Sequence, residues 1–223
     1  MRDPLRPWAD HQILSDMLAG WRPHHRGRGI FRVSCGTDWL RLHLEGAQRP
    51  AIWMTWLPGA NLIFATDGAV PPTLKRAMPT VRRHPLARLL DDSTLEEVGM
   101  FPQDRVAALR LNRPDGSSLF LLHQLFGARG NTVLLDADAR LVWSRHRPPA
   151  SLLSTVPDPG VWNTGSPQSS PGTLSRLALG HLITRLTSRN LQRCETALGR
   201  TRRTARKLVE NLQRDFDRAD RGH

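Results

Sequence analysis

The chain has 223 residues, of which 39% are hydrophobic; that suffices for one core of roughly 150 residues with a more polar appendage. Its formal charge is +12, from 32 basic residues (nearly all Arg) against 20 acidic ones. The basic excess points to a polyanionic partner, although an Arg- and Ala-rich, Tyr-free composition also arises in GC-rich genomes. Nothing reaches the ~18 consecutive apolar residues of a membrane span, "MRDPLRPWADHQIL" lacks the apolar stretch of a secretory signal, and the distant Cys35 and Cys194 exclude a disulfide framework. The expectation is a soluble, cytoplasmic protein.

In chain order, "HQILSDMLAG" at 11–20 spaces Ile13, Leu14, Met17 and Leu18 as on a helix, with Gly20 placed to end it. "WRPHHRGRG" then reads as a basic turn. Short strands follow. "IFRVSC" sets Phe31, Val33 and Cys35 on one face by simple alternation, and "WLRLHLEG" sets Leu40, Leu42 and Leu44 against Arg41 and His43. "AIWMTWL" and "NLIFAT" continue a small meander, with turns at "EGAQRP" and "LPGAN".

After "DGAVPPT" the chain turns basic and then helical around Leu86, Leu89 and Leu90, with a short helix starting near Pro85. "DDSTLEE" at 91–97 reads as a solvated helix exit. Three further β segments follow, "DRVAALRL", "SLFLLHQLF" and "NTVLLDADARLVWSR", with hairpin turns at "RPDG" (113–116) and "DADA" (136–139). Residues 147–173 are rich in Pro, Ser and Gly and read as a linker or loosely packed loop. From Leu191 the series Leu191, Cys194, Leu198, Thr201, Ala205, Leu208, Leu212 steps by three and four, a heptad seam on a helix spanning about 190–219. An upstream face of Leu174, Leu177, Leu182, Ile183 and Leu186 is out of register with it, which predicts a break near "TSRN".

The chemistry-bearing patterns are few. Nine His residues show no zinc-ligand spacing, so no metal is expected. There is no Gly-x-Ser-x-Gly elbow, no Walker loop and no Gly-x-Gly-x-x-Gly, and no cofactor or catalytic role is expected. "GARGN" at 127–131 is a Gly-bearing turn before a strand. "KRAMPTVRRHPLAR" gathers Lys75, Arg76, Arg82, Arg83 and Arg88 around one short helix, where Arg side chains suit phosphate oxygens as well as solvent. The helical tail adds Arg200, Arg202, Arg203, Arg206 and Lys207, the ordinary charge of an exposed helix. In "PQDRV" at 102–106 an acid and a base adjoin at the start of a strand, where alternation would turn one of them inward unless the pair sits at the strand's mouth.

The stretch "FPQDRVAALRLNRPDGSSLFLLHQLFGARGNTVLLDADARLVWSR", preceded by "HPLARLLDDSTLEEV", resembles the NFACT N-terminal domain of RqcH- and NEMF-like ribosome quality control factors, whose bacterial members include the fibronectin-binding protein A type. The resemblance is strongest over about residues 84–145, and the heptad tail resembles the start of the family's coiled-coil arm. It implies an α+β fold: a β-sandwich with flanking helices, similar to the N-terminal domain of the formamidopyrimidine-DNA glycosylases, followed by a long coiled-coil-like helix. The implied layout is an NFACT-N-like domain over 1–146, the linker over 147–173 and an incomplete helical arm over 174–223. The glycosylase chemistry itself does not carry over. It uses an N-terminal Pro followed by Glu, and this chain begins Met1-Arg2-Asp3-Pro4.

The implied function is non-enzymatic binding of tRNA on stalled large ribosomal subunits through the Asp-Arg pair, here Asp104 and Arg105. Arg129 and Asn131 of the neighbouring turn, with Arg82, Arg83 and Arg88, complete the expected RNA-binding set. Two positions depart from the family pattern: Gln124 stands where Glu is usual, and Ala128 where Arg is usual, with Arg129 one place later. The missing arm and RNA-binding modules imply a truncated, divergent member. The alternative is an adaptor that binds a protein partner through the C-terminal helix and has lost its RNA function. Fibronectin binding as an adhesin sits poorly with the missing export signal.

Overall fold

The computed structural model describes residues 10–67, 78, 80–81, 84–102, 104–126, 130–148, 162 and 171–220, with side chains of the last helix described over 175–214. Two compact units are distinguished, Met1–Leu182 and Ile183–His223. The chain is α+β, with a nine-stranded antiparallel sheet, helices, and a long C-terminal helix.

Helix α1 (His11–His25) opens at Asp10, whose carboxylate accepts from the N–H groups of Gln12 (2.9 Å) and Ile13 (3.2 Å). Leu14, Met17, Leu18 and Trp21 recur at helical spacing and are buried. Gly20 does not end the helix, contrary to the sequence expectation. Trp21 extends the same apolar stripe, and Arg22 anchors the next turn by donating to the Val98 carbonyl (3.1 Å) and pairing with Glu97 (2.6 Å). Pro23 lies so near the helix end that the helix continues to His25 before closing through the Arg26 N–H to the Arg22 carbonyl.

The strands are β1 (Arg28–Cys35), β2 (Trp39–Leu44), β3 (Ala51–Thr55), β4 (Ile63–Thr66), β5 (Thr94–Met100), β6 (Val106–Asn112), β7 (Ser118–Gln124), β8 (Asn131–Asp136) and β9 (Leu141–Ser144). Their order is β4-β3-β2-β1-β5-β6-β7-β8-β9, and every neighbouring pair is antiparallel. Leu40, Leu42 and Leu44 alternate inward as their spacing predicts.

Strand β1 departs from simple alternation. A bulge between Ile30 and Arg32 sets two steps of β1 against one of β2, since Ile30 lies opposite Leu44 and Arg32 opposite His43. Ile30, Val33 and Cys35 therefore face the core, and Phe31 turns outward, 48% exposed. Hydrogen bonds from the turn after helix α2 (Pro85–Leu90) hold the bulged edge: Ile30 N–H to the Ser93 carbonyl (2.7 Å), Asp92 N–H to the Ile30 carbonyl (2.9 Å), and Val33 N–H to the Asp91 carboxylate (2.6 Å). Helix α2 starts at Pro85 as expected, capped by the His84 ring.

The acidic stretch 91–97 is not a solvated helix exit. It closes α2 and becomes β5, because Leu95, Val98 and Met100 alternate inward once a bulge between Leu95 and Glu97 is allowed for. The "RPDG" turn closes β6 onto β7 through the Arg113 N–H to the Ser117 carbonyl (2.9 Å), and Gly116 supplies its φ of 81°.

Both halves of the sheet contribute to one core with α1 and α2. Leu40, Leu42, Ile52 and Met54 join Leu109, Leu111, Leu119 and Leu121 in it. The other face of β6–β8 is also buried: Val106, Ala108, Phe120, Leu122, Val133 and Leu135 cluster with Trp162. Burial on both faces explains why β6 and β7 read as apolar runs rather than alternations.

Helix α3 covers Pro171–Asp220, about 75 Å at 1.5 Å per residue. It does not break at "TSRN". Thr187 and Ser188 donate their hydroxyls to the carbonyls of Ile183 (3.0 Å) and Thr184 (3.1 Å), so both polar side chains are satisfied within the helix. Within the first unit, His181 bonds the Gly59 carbonyl (2.9 Å) and Ser175 Oγ accepts from the Ala65 N–H (3.3 Å). In the second unit Leu191, Leu198, Leu208 and Leu212 are all exposed.

Candidate functional site

The Asp-Arg pair lies in the connection between β5 and β6, not within a strand. Phe101 N–H donates to the Val106 carbonyl (2.9 Å) and Asp104 N–H to the Phe101 carbonyl (3.4 Å), closing a tight turn. Asp104 is exposed, and its carboxylate accepts from the Arg105 N–H (2.7 Å). Arg105 is half-buried, and its carbonyl accepts from the Leu125 N–H (2.8 Å), which fastens the turn to the end of β7. The strand proper begins at Val106, so alternation does not force either charge inward.

The register places Gln124 opposite both Val106 and Asn131. Asp104, Arg105, Gln124 and Asn131 thus gather at one end of the β6–β7–β8 ladder. Asn131 is buried and spent on structure. Its side-chain amide donates to the His146 carbonyl (3.2 Å), and its side-chain carbonyl accepts from the His146 N–H (3.0 Å), extending the β8–β9 hairpin. Arg88 is exposed in the last turn of α2, where its charge suits the helix C-terminus. Arg82, Arg83 and Arg129, with Lys75, Arg76 and Ala128, lie outside the described residues.

Beside this end of the ladder runs a buried polar relay that the sequence did not reveal. A carbonyl only accepts, so His123 Nε2 carries the proton donated to the Leu62 carbonyl (3.1 Å). The neutral ring then accepts at Nδ1 from the Thr132 hydroxyl (2.8 Å), and Thr132 Oγ1 accepts from Trp56 Nε1–H (2.6 Å). Burial pushes the His123 pKa down to about 3, so the ring is neutral at physiological pH. Arg145 covers the same corner. Its guanidinium lies 4.6 Å from the Trp56 ring centroid, donates to the Thr37 carbonyl, and pairs with Asp38 (3.6 Å). The relay and Arg145 join the two halves of the sheet.

A cavity of about 450 Å³ lies at the end of α1, lined among others by Trp21, His25, Arg28, Gln48, Asp67 and Ser175. Burial, then Arg28, push His25 down to about pKa 4, so it too is neutral. Among the described residues no group of three His, Cys, Asp or Glu is placed to hold a metal ion, and no helix is long and apolar enough to cross a membrane. The arrangement as a whole offers an exposed carboxylate held by the backbone N–H of a half-buried arginine.

The chain is similar in structure to three solved bacterial proteins. They are the N-terminal domain of fibronectin-binding protein PavA from Streptococcus pneumoniae (16% identity, TM-score 0.48, covering 63% of this chain and 56% of that one), the fibrinogen binding protein from Staphylococcus aureus (15%, 0.48, 74% and 56%), and the N-terminal part of the fibronectin/fibrinogen-binding protein from Streptococcus suis (15%, 0.48, 80% and 83%). The matched region thus spans little more than half the length of the first two. No protein-family model matches the chain, and no curated protein does.

Proposed function

We propose that the chain is an RNA-binding protein that acts by binding rather than by catalysis, engaging tRNA on the large ribosomal subunit in the manner of the RqcH-type factors that its 84–145 stretch resembles. The observation that carries this reading is the presentation of Asp104 and Arg105. The turn is fixed at both ends by backbone hydrogen bonds, and Asp104 is braced by the Arg105 N–H. In this reading Arg105 meets a phosphate or base edge, while Asp104 orients it or accepts from a sugar hydroxyl or base. The formal charge of +12 supplies the long-range attraction.

The test is tRNA and large-subunit binding at two salt concentrations, with wild type and with Asp104→Ala/Arg105→Ala. The expected result is a salt-dependent affinity that the double variant weakens. Equal binding by both proteins removes the role of the pair, and no binding at low salt removes the reading.

A second reading rests on α3. Leu191, Leu198, Leu208, Val209 and Leu212 each expose 59–63% of their surface, which suits a protein partner docking along the helix. Retention of protein partners alone in a pull-down favours this adaptor role.

A further inference from the structure

The outward face of β1–β4 is built unlike an ordinary solvated sheet surface. The alternation that buries Leu40, Leu42 and Leu44 turns Trp39, Arg41 and His43 the other way. The ladder brings Arg32 opposite His43, Ser34 opposite Arg41, Trp53 opposite Arg41, and Phe64 opposite Trp53. An aromatic row results. Trp39 and Trp53 lie 5.4 Å apart between centroids, Trp53 and Phe64 stack at 6.0 Å with planes 5° apart, and the Arg41 guanidinium sits 4.8 Å from the Trp53 centroid.

That part of the row is buried, whereas its other end is open. The bulge turns Phe31 outward, 48% exposed, with its ring 5.7 Å from that of His43. Arg32 beside it is exposed, and Arg41 and His43 are half-buried.

The charges here are unbalanced. Neither Arg32 nor Arg41 forms an ion pair with a carboxylate among the described residues. Asp91, the acid whose field reaches Arg32, has its Oδ1 committed to the Val33 N–H. His43 bonds the Ser34 hydroxyl (2.9 Å), and burial, then Arg41 and Arg32, push its pKa down to about 4. At neutral pH the patch is therefore two arginines, a neutral imidazole and a projecting phenyl ring. A solvated cationic face has no use for the ring, and one exposed apolar side chain among the described residues of this patch is too little for a hydrophobic protein interface or a bilayer. A flat apolar group attached to an anion satisfies both parts at once.

We propose that Phe31 is a stacking platform for a base of single-stranded RNA, with Arg32 and Arg41 on the adjoining phosphates and His43 packed at the ring's edge. This rests on the reading of the chain as an RNA binder and gives it a contact surface separate in sequence and strand from Asp104 and Arg105. Base stacking on an aromatic ring tolerates any sequence, whereas the arginine contacts carry the salt dependence.

The experiment measures fluorescence anisotropy of a labelled oligouridine dodecamer, with competition by inorganic polyphosphate and by polyglutamate, on the full chain. Expected are a loss of about tenfold in oligouridine affinity for Phe31→Ala, recovery in Phe31→Trp, and polyphosphate affinity within about twofold of wild type in both, because polyphosphate has no base to stack. Arg32→Ala weakens both ligands and reduces the salt slope by about one. Unchanged oligouridine binding in Phe31→Ala, or an equal loss for oligouridine and polyphosphate, overturns the stacking site. Displacement of oligouridine by polyglutamate as readily as by polyphosphate overturns it in favour of an acidic protein partner. Binding of tRNA that depends on Asp104 and Arg105 but not on Phe31 overturns this site alone, whereas no RNA binding by wild type removes the underlying reading as well.

Discussion

Gly99 and Trp162 are in such close contact that a Cβ on Gly99 would lie 2.9 Å from the Trp162 Cβ and 3.1 Å from its Cε3. Trp162 comes from the Pro/Ser/Gly-rich stretch, yet it is 2% exposed and completes the second apolar cluster over β6–β8. The side chain absent from β5 is what lets the indole reach the sheet. Gly99→Ala is therefore expected to push Trp162 off its seat and to lower stability by about 1–3 kcal/mol. Trp162→Ala should cost about 3–5 kcal/mol by vacating the same volume. Urea unfolding of both variants checks the pair, and a Gly99→Ala protein as stable as wild type contradicts the contact.

Three histidines make the fold sensitive to acid. The pKa values of His25 and His43 are pushed down to about 4 and that of His123 to about 3, chiefly by burial. The unfolded chain takes up these protons near pH 6.5 and the folded chain does not, so between about pH 6.5 and 4 the unfolded state holds more protons. Stability is expected to fall as pH drops through that window and to be flat with respect to these groups above it. Urea midpoints at pH 7.5, 5.5 and 4.5 test the sign, since a midpoint that rises on acidification is incompatible with it. Nitrogen chemical shifts should show His123 as the neutral Nε2–H tautomer across this range.

The two cysteines should differ sharply in reactivity. Cys35 is buried, and burial, reinforced by Asp91, pushes its thiol up to about pKa 12; Cys194 is exposed on α3. Because the thiolate is the reacting species, an aromatic disulfide reagent at pH 8 should titrate one thiol rapidly and the second only on denaturation. Cys194→Ser should abolish the rapid phase, and a native protein that reacts at both sites at similar rates overturns the assignment.

Arg145 holds Trp56, Thr37 and Asp38 together from the end of β9. Arg145→Ala is expected to cost about 1–3 kcal/mol through the lost stacking and charge-assisted hydrogen bonds. Arg145→Lys should recover only part of this, because an ammonium cannot lie flat on the indole while donating sideways. Thermal unfolding and indole fluorescence report both effects.

Much of the fold was legible where one physical signal dominated. Leu40, Leu42 and Leu44 announced β2, "RPDG" announced the β6–β7 hairpin, and Pro85 announced α2. Signals that depend on distant partners were silent. Acidic residues masked β5, since Glu97 acquires its purpose from Arg22 on α1. Simple alternation put Phe31 inside, because nothing local encodes the bulge that the Asp91–Ser93 turn stabilises. Gly20 reads as a helix end in the sequence because the anchors that carry the helix past it, the burial of Trp21 and the bonds of Arg22 to Val98 and Glu97, are tertiary.

The candidate site divides in the same way. The Asp104–Arg105 turn was readable from its local chemistry. Asn131 belongs to the expected RNA-binding set, and what its sequence context does not show is that its side chain bonds the His146 backbone 15 residues away. Nothing near His123 in the sequence marks the relay, because its partners lie 9 and 61 residues distant.

The sheet order contains one non-consecutive neighbour, β1 beside β5, and that ladder consists of two residue pairs, Arg28 with Leu95 and Gly29 with Thr94. Everything else in the sheet is a run of adjacent hairpins. The entropy of bringing β5 back to β1 across the intervening chain therefore falls on one short seam and on the side chains that bridge the two halves of the sheet, Trp56, His123, Thr132 and Arg145. Folding kinetics should inherit that division: two meanders that form from near neighbours, and a late docking step whose rate responds to substitutions in the bridge more than to any in the hairpin turns.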